Sequence, residues 1–122
     1  MTDYTIYNNP LITRYASKEM QHAFSDDKRF KLWRKLWIAL AEAEMELGLN
    51  VTQDQVDELK AHAEDIDYEL AAKFEREVRH DVMAHVKAYG EVANTAKPII
   101  HLGATSCFVN CNAEAIMLDE AL

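Results

Sequence analysis

The sequence contains little glycine, proline or cysteine. Its 122 residues include three Gly, two Pro and two Cys. An all-β fold needs many tight turns, and glycine and proline are the residues that most favour them, so their scarcity argues against strands. Hydrophobic residues make up 49% of the chain, which is enough to form a core and excludes a disordered protein. We therefore predict an all-α chain that forms one compact domain or part of a larger one.

Basic residues and long apolar runs are also scarce. Lys and Arg total 13 against 21 Asp and Glu, which gives a formal net charge of −8. Because no Lys/Arg stripe offsets this excess, the chain is a poor candidate for binding a nucleic acid backbone. No apolar run approaches membrane-spanning length, and the opening MTDYTIYNN lacks the basic and apolar regions of a signal peptide. We expect a cytoplasmic protein with neither a nucleic acid nor a membrane as partner.

The few residues that could bind a metal are poorly spaced for it. Cys107 and Cys111 would share one face of a helix, but two ligands are too few for a closed zinc site. Their side chains would also be badly oriented for a disulfide, so we interpret them as reduced, small and partly buried. His80 and His85 are five positions apart and would lie on different helix faces. We expect no metal site.

The sequence contains a succession of helix signals. A turn at Asn8-Asn9-Pro10 lies within an irregular lead-in over residues 1–15, and Pro98 precedes a short extended piece at Ile99-Ile100. The longest predicted helix ends near Gly48, and it carries Trp33 and Trp37 in a wide apolar stripe that is typical of a core. Helix N-caps are predicted at Ser17, at Ser25, at Thr52 (with Gln55 as a capping box), at Asp67, and at Thr105 or Ser106. The apolar pattern of the last helix is still running at Leu122, so we expect an N-terminal piece of a longer protein.

Two polar clusters precede predicted helices, at residues 79–81 and 103–106. One interpretation is local: His80 or Asp81 caps a helix that runs from Asp81 to about Asn94, and residues 103–106 form a turn and a cap. The other is functional, because helix N-termini favour anions. Arg79 would then clamp an anion, His80 would donate a hydrogen bond or carry a proton, and the hydroxyls of Thr105 and Ser106 would hold a carboxylate or phosphate. Together the clusters predict a site for a highly charged small molecule.

Four segments carry a resemblance to a known family. The sequences RHDVMAH at 79–85 and HLGATSC at 101–107 strongly resemble the adenylosuccinate lyases of the fumarase/aspartase superfamily, and residues 10–17 and 33–44 are also similar to them. The similarity covers nearly the whole chain in matching order. It implies that residues 1–106 form the N-terminal helical domain of that lyase fold and that residues 107–122 begin its long-helix central domain.

The resemblance also implies an activity. Members of this family eliminate fumarate from adenylosuccinate to give AMP, and from SAICAR to give AICAR, in purine biosynthesis. They are homotetramers whose active sites combine three subunits, and they use no metal or organic cofactor. Two alternatives stay open: another fumarate-releasing lyase of the superfamily, or a non-catalytic helical interaction module.

The resemblance transfers site roles to particular residues of this chain. The histidine that His80 matches has an accessory catalytic role in the family. The family's principal acid and base match no residue up to Leu122. We therefore expect these 122 residues alone to be inactive. The implied substrate-binding residues are Arg14 and Tyr15, then Arg79, His80 and Asp81, then His101, Thr105 and Ser106.

Overall fold

The computed structural model describes residues 4–122, and these residues form helices with no strand. This confirms the predicted all-α class. A π-helical turn at Leu11–Tyr15 precedes the first α-helix, and a 3₁₀ turn at Lys97–Ile99 lies between the last two. The α-helices are α1 (Lys18–Ala23), α2 (Asp26–Glu46), α3 (Gln53–Ala61), α4 (Tyr68–Val78), α5 (Asp81–Val92) and α6 (Ser106–Ala121).

The first four α-helices begin at the predicted caps, since each cap side chain accepts a hydrogen bond from a backbone N–H in the first turn. Thr52 and Gln55 form the full reciprocal capping box. Gly48 follows the end of α2 with φ +83°, a left-handed conformation that glycine adopts without strain. In the other three caps the side-chain oxygen accepts a backbone N–H: Ser17 from Met20 at 3.1 Å, Ser25 from Lys28 at 3.2 Å and Asp67 from Leu70 at 3.0 Å.

Three local expectations were wrong. The lead-in is not irregular throughout, because the Ala16 N–H donates to the carbonyl of Leu11 at 2.6 Å and closes the π-helical turn. Ile99 belongs to a 3₁₀ turn that suits the fixed φ of Pro98, and only Ile100 is extended. Cys107 and Cys111 are reduced but exposed, since the buried face of α6 is the neighbouring stripe of Val109, Ala113 and Met117.

Helix α2 is the centre of the packing, with α3 and α6 against it and α4 paired with α5. Trp33 and Trp37 are each 1% exposed, which confirms their predicted place in the core. Tyr89 of α5 is fully buried and its hydroxyl donates to the carbonyl of Leu59 at 2.5 Å. Helix α5 is held by Tyr89 against α3, and α6 packs directly on α2, so both helices that follow the polar clusters are anchored in the core. They therefore position both polar clusters.

His85 is buried in this core, on a different side of α5 from the cap residue His80. Its ring stacks on Phe30 with centroids 4.0 Å apart and meets Trp33 edge-on at 5.3 Å. Burial, with a smaller contribution from the charge of Arg34, lowers the pKa of His85 to about 4. The folded protein therefore holds His85 neutral at pH 7.

We predict that His85 makes the fold sensitive to mild acid. Between pH 6.5 and 4 the unfolded state binds a proton at this residue that the folded state does not, so stability falls as the pH falls. The expected loss from pH 7 to pH 5 is about 1 to 2 kcal/mol. Urea unfolding at both values, compared with His85→Gln, measures it. An equal loss in the variant, which cannot take up the proton, would show that His85 is not responsible.

Candidate functional site

The first polar cluster forms the junction between α4 and α5. Arg79 ends α4 in a left-handed conformation, with φ 54° and its N–H bonded to the carbonyl of Glu75 at 2.8 Å. His80 follows in an extended conformation as the N-cap of α5, and its Nδ1 accepts the N–H of Met83 at 3.2 Å. The capping interpretation is therefore confirmed for His80. Because the cap uses Nδ1, the other ring nitrogen is left for a ligand.

Asp81 contributes differently from His80. Its Oδ1 accepts the N–H of Val82 at 2.8 Å and lies 3.9 Å from the Nδ1 of His80. The side chains of His80 and Asp81 are 46% and 57% exposed, so both are accessible to a solute. An imidazole and a carboxylate thus lie side by side at the positive end of the α5 dipole.

The second cluster is the tight turn that enters α6. His101 and Gly103 both have positive φ, at 65° and 75°. Thr105 occupies the N-cap position, as predicted, yet its side chain makes no cap hydrogen bond within residues 4–122. Its carbonyl accepts the N–H of Phe108 instead, at 3.0 Å. Across the described part of the chain, no hydrogen bond uses the hydroxyl of Thr105 or of Ser106, so both are available to a ligand.

His101 connects the second cluster to α2. Burial lowers the pKa of His101, and a smaller coulombic effect of His80 acts in the same direction. The Nδ1 of His101 accepts a hydrogen bond from the indole Nε1 of Trp37 at 2.8 Å. The structure thus fixes His101 against α2.

Arg14 and Tyr15 lie elsewhere, in the π-helical turn. Tyr15 lines an open, mainly apolar cleft of about 700 Å³ together with side chains of that turn and of α1, among them Leu11, Met20 and Phe24. No contact described within residues 4–122 joins Arg14 or Tyr15 to either polar cluster. Their convergence with His80 and Ser106 therefore stays a prediction.

The sequence did not predict the polar contacts of two α2 side chains, and one of these contacts reaches the site. Trp37 was predicted as core only, and its hydrogen bond to His101 spans 64 positions. Arg34 is 1% exposed. Its Nη1 donates hydrogen bonds to the carbonyls of His62 at 2.7 Å and Asp65 at 2.9 Å. Its guanidinium lies 4.2 Å from the ring centre of Tyr89. The sequence placed both residues in the longest predicted helix, and it carried no signal for the partners of either side chain.

Neither a metal-binding cluster nor a membrane-spanning helix occurs among the described residues. From residue 4 to residue 122, His, Cys, Asp and Glu side chains nowhere gather in a group of three that could hold a metal ion. Over the same range, no helix combines the length and the apolar character needed to cross a membrane.

Known proteins resemble this chain along its whole length. No family model matches it. The chain is 51% identical over its full length to a protein of Schizosaccharomyces pombe, 48% identical over its full length to one of Schistosoma mansoni, and 52% identical over 99% of its length to one of Saccharomyces cerevisiae. Each of these relatives is named adenylosuccinate lyase, and the chain spans about a quarter of their length, 25 to 26%. The chain therefore belongs to the adenylosuccinate lyase family.

Proposed function

We propose that this chain is the N-terminal part of an adenylosuccinate lyase that eliminates fumarate from adenylosuccinate to give AMP and from SAICAR to give AICAR. The observation that carries the proposal is the identity of 48 to 52% to three proteins of that name across essentially the whole chain. The proposal includes a homotetramer in the cytoplasm, with residues 1–106 as the N-terminal domain and 107–122 as the start of the central one.

The chemistry of the clusters suits such a substrate. Adenylosuccinate carries a phosphate and two carboxylates, which call for positive ends of helices, hydroxyls and guanidinium groups. The start of α5 offers Arg79 and His80, and the start of α6 offers the hydroxyls of Thr105 and Ser106, which have no other described partner. The net charge of −8 does not oppose this, because the favourable charge is local.

In the proposed reaction, a base removes a proton beside a carboxylate and an acid protonates the departing nitrogen. Negative charge then develops on the carboxylate next to the deprotonated carbon. Hydrogen-bond donors fixed in advance around that carboxylate stabilise the charge without reorganising. We assign this holding role to Thr105 and Ser106, an accessory role to His80, and phosphate binding to Arg14 and Tyr15.

The test is an assay of fumarate release. A polypeptide with the full length of these relatives, hereafter the full-length protein, is expected to release fumarate from adenylosuccinate and from SAICAR. The 122-residue chain alone is expected to release none, and turnover by it would contradict the assignment of the principal acid and base to other parts of the protein.

Two other results would overturn the proposal. Fumarate release only from a different succinyl compound would indicate another lyase of the superfamily. No release from any such compound, with no thermal stabilisation by AMP or adenylosuccinate, would indicate a helical interaction module whose polar clusters are only caps.

A further inference from the structure

Helix α2 contains two tryptophans that are equally buried but differ at the indole nitrogen. Trp33 and Trp37 are each 1% exposed. The Nε1 of Trp33 has no hydrogen-bond partner among residues 4–122, whereas the Nε1 of Trp37 donates to the Nδ1 of His101 at 2.8 Å. A buried indole N–H usually finds a partner, and the partner of Trp37 is a residue of the second polar cluster.

This bond fixes the protonation pattern of His101. An indole nitrogen is a donor only, so the Nδ1 that receives its hydrogen must carry a lone pair. The neutral ring then holds its proton on Nε2. Hydrogen bonds described for residues 4–122 leave that Nε2–H without a partner, so it is free to donate to a ligand.

The backbone at His101 adds a second observation. Its φ of 65° is left-handed, a conformation that costs a non-glycine residue about 1 to 2 kcal/mol. Strain of this kind persists where the surrounding structure imposes it, and it is concentrated at functional sites. The indole therefore orients the ring, and the left-handed backbone marks His101 as part of a constrained turn.

We propose that Trp37 is a positioning residue that holds His101 as the neutral tautomer with its proton on Nε2, so that His101 donates a hydrogen bond to an anionic oxygen of the substrate. The inference rests on the proposed function for the identity of that substrate. The tautomer itself follows from geometry alone. His80 presents the same pattern, since its Nδ1 accepts from the backbone N–H of Met83, which is also only a donor.

Nuclear magnetic resonance of the ¹⁵N-labelled 122-residue chain tests the tautomer without reference to activity. We expect the His101 ring nitrogens to show a proton on Nε2 and none on Nδ1, and a scalar coupling between Trp37 Nε1 and His101 Nδ1 across the hydrogen bond. A proton on Nδ1, or no coupling, would overturn the inference. This measurement uses the unmodified chain, so it does not depend on whether a variant folds.

Matched variants separate positioning from core packing. Trp37→Phe and Trp33→Phe remove the same indole from equally buried positions of one helix, but only the first removes the bond to His101. Trp37→Phe is expected to give a mixture of His101 tautomers, and Trp33→Phe to leave the spectrum of His101 unchanged. A single Nε2–H tautomer that survives in Trp37→Phe would overturn the role of Trp37.

The same pair of variants in the full-length protein gives the functional readout. We expect kcat/KM for fumarate release to be about tenfold lower in Trp37→Phe than in Trp33→Phe. At metal sites, a histidine that loses its orienting partner costs about 10- to 100-fold in activity or metal affinity, and we expect the low end of that range here. Equal kcat/KM in the two variants would overturn the inference and leave the proposed function intact. An unmodified full-length protein that releases no fumarate would overturn the proposed function and leave the tautomer assignment intact.

Discussion

Arg34→Met is expected to lower the free energy of unfolding of the chain by about 3 kcal/mol, a large fraction of the stability of a small domain. Each hydrogen bond made by a charged group contributes about 1.5 to 3 kcal/mol, and Arg34 donates two, to the carbonyls of His62 and Asp65. Its guanidinium also lies over the ring of Tyr89. Burial opposes these gains, because it disfavours the charged form and lowers the pKa of Arg34. The net effect still favours the native residue, since methionine fills the space without making either hydrogen bond.

Urea unfolding measures this effect, and Arg76→Met is the matched control. Arg76 lies on the exposed side of α4, where replacing an arginine should change stability by no more than about 0.5 kcal/mol. A loss for Arg34→Met no greater than that of the control would show that the buried guanidinium does not hold the α3–α4 loop against α2.

His80→Asn in the full-length protein is expected to lower kcat/KM for fumarate release about 100-fold while leaving its stability nearly unchanged. The two interpretations of His80 from the sequence predict different results for this variant. Asparagine is among the best N-cap residues, so it can replace the bond from the Met83 N–H to the imidazole Nδ1. It cannot replace the second ring nitrogen, and removing one positioned donor or proton carrier typically costs about 10²-fold in rate.

His80→Ala serves as the comparison for that variant. It removes both the cap and the imidazole, so it should show the same loss of activity and, in addition, a loss of stability of about 1 kcal/mol. Full activity in His80→Asn would mean that His80 is a helix cap only. The functional interpretation of residues 79–81 would then have to rest on Arg79 and Asp81.

The features predicted correctly from the sequence are those decided by neighbours along the chain. Ser17, Ser25, Thr52 and Asp67 each cap a helix through a backbone N–H three positions away, so the residue type and its spacing are sufficient. Thr105 shows the limit of such reasoning. It occupies the predicted cap position, but its side chain is not the group that closes the turn.

The features that were missed depend on packing between distant segments. The Arg34 bonds span 28 and 31 positions and the Trp37 bond spans 64, so their partners are set by how α2 lies against the rest of the fold. Periodicity placed both residues in a helix and Trp37 in its apolar stripe, but it gave no information on which polar atoms their side chains reach. The exposure of Cys107 and Cys111 has the same origin, because it depends on which face of α6 meets α2.

The most direct measurement is the structure of the full-length protein with adenylosuccinate bound. We predict that Arg14, His80 and Ser106 lie within hydrogen-bonding distance of the ligand's anionic groups, whether from one subunit or from adjacent ones. The ligand could instead bind away from the starts of α5 and α6, with His80 and Ser106 facing only solvent. That result would contradict the proposal that this chain contributes anion-binding residues to the lyase site.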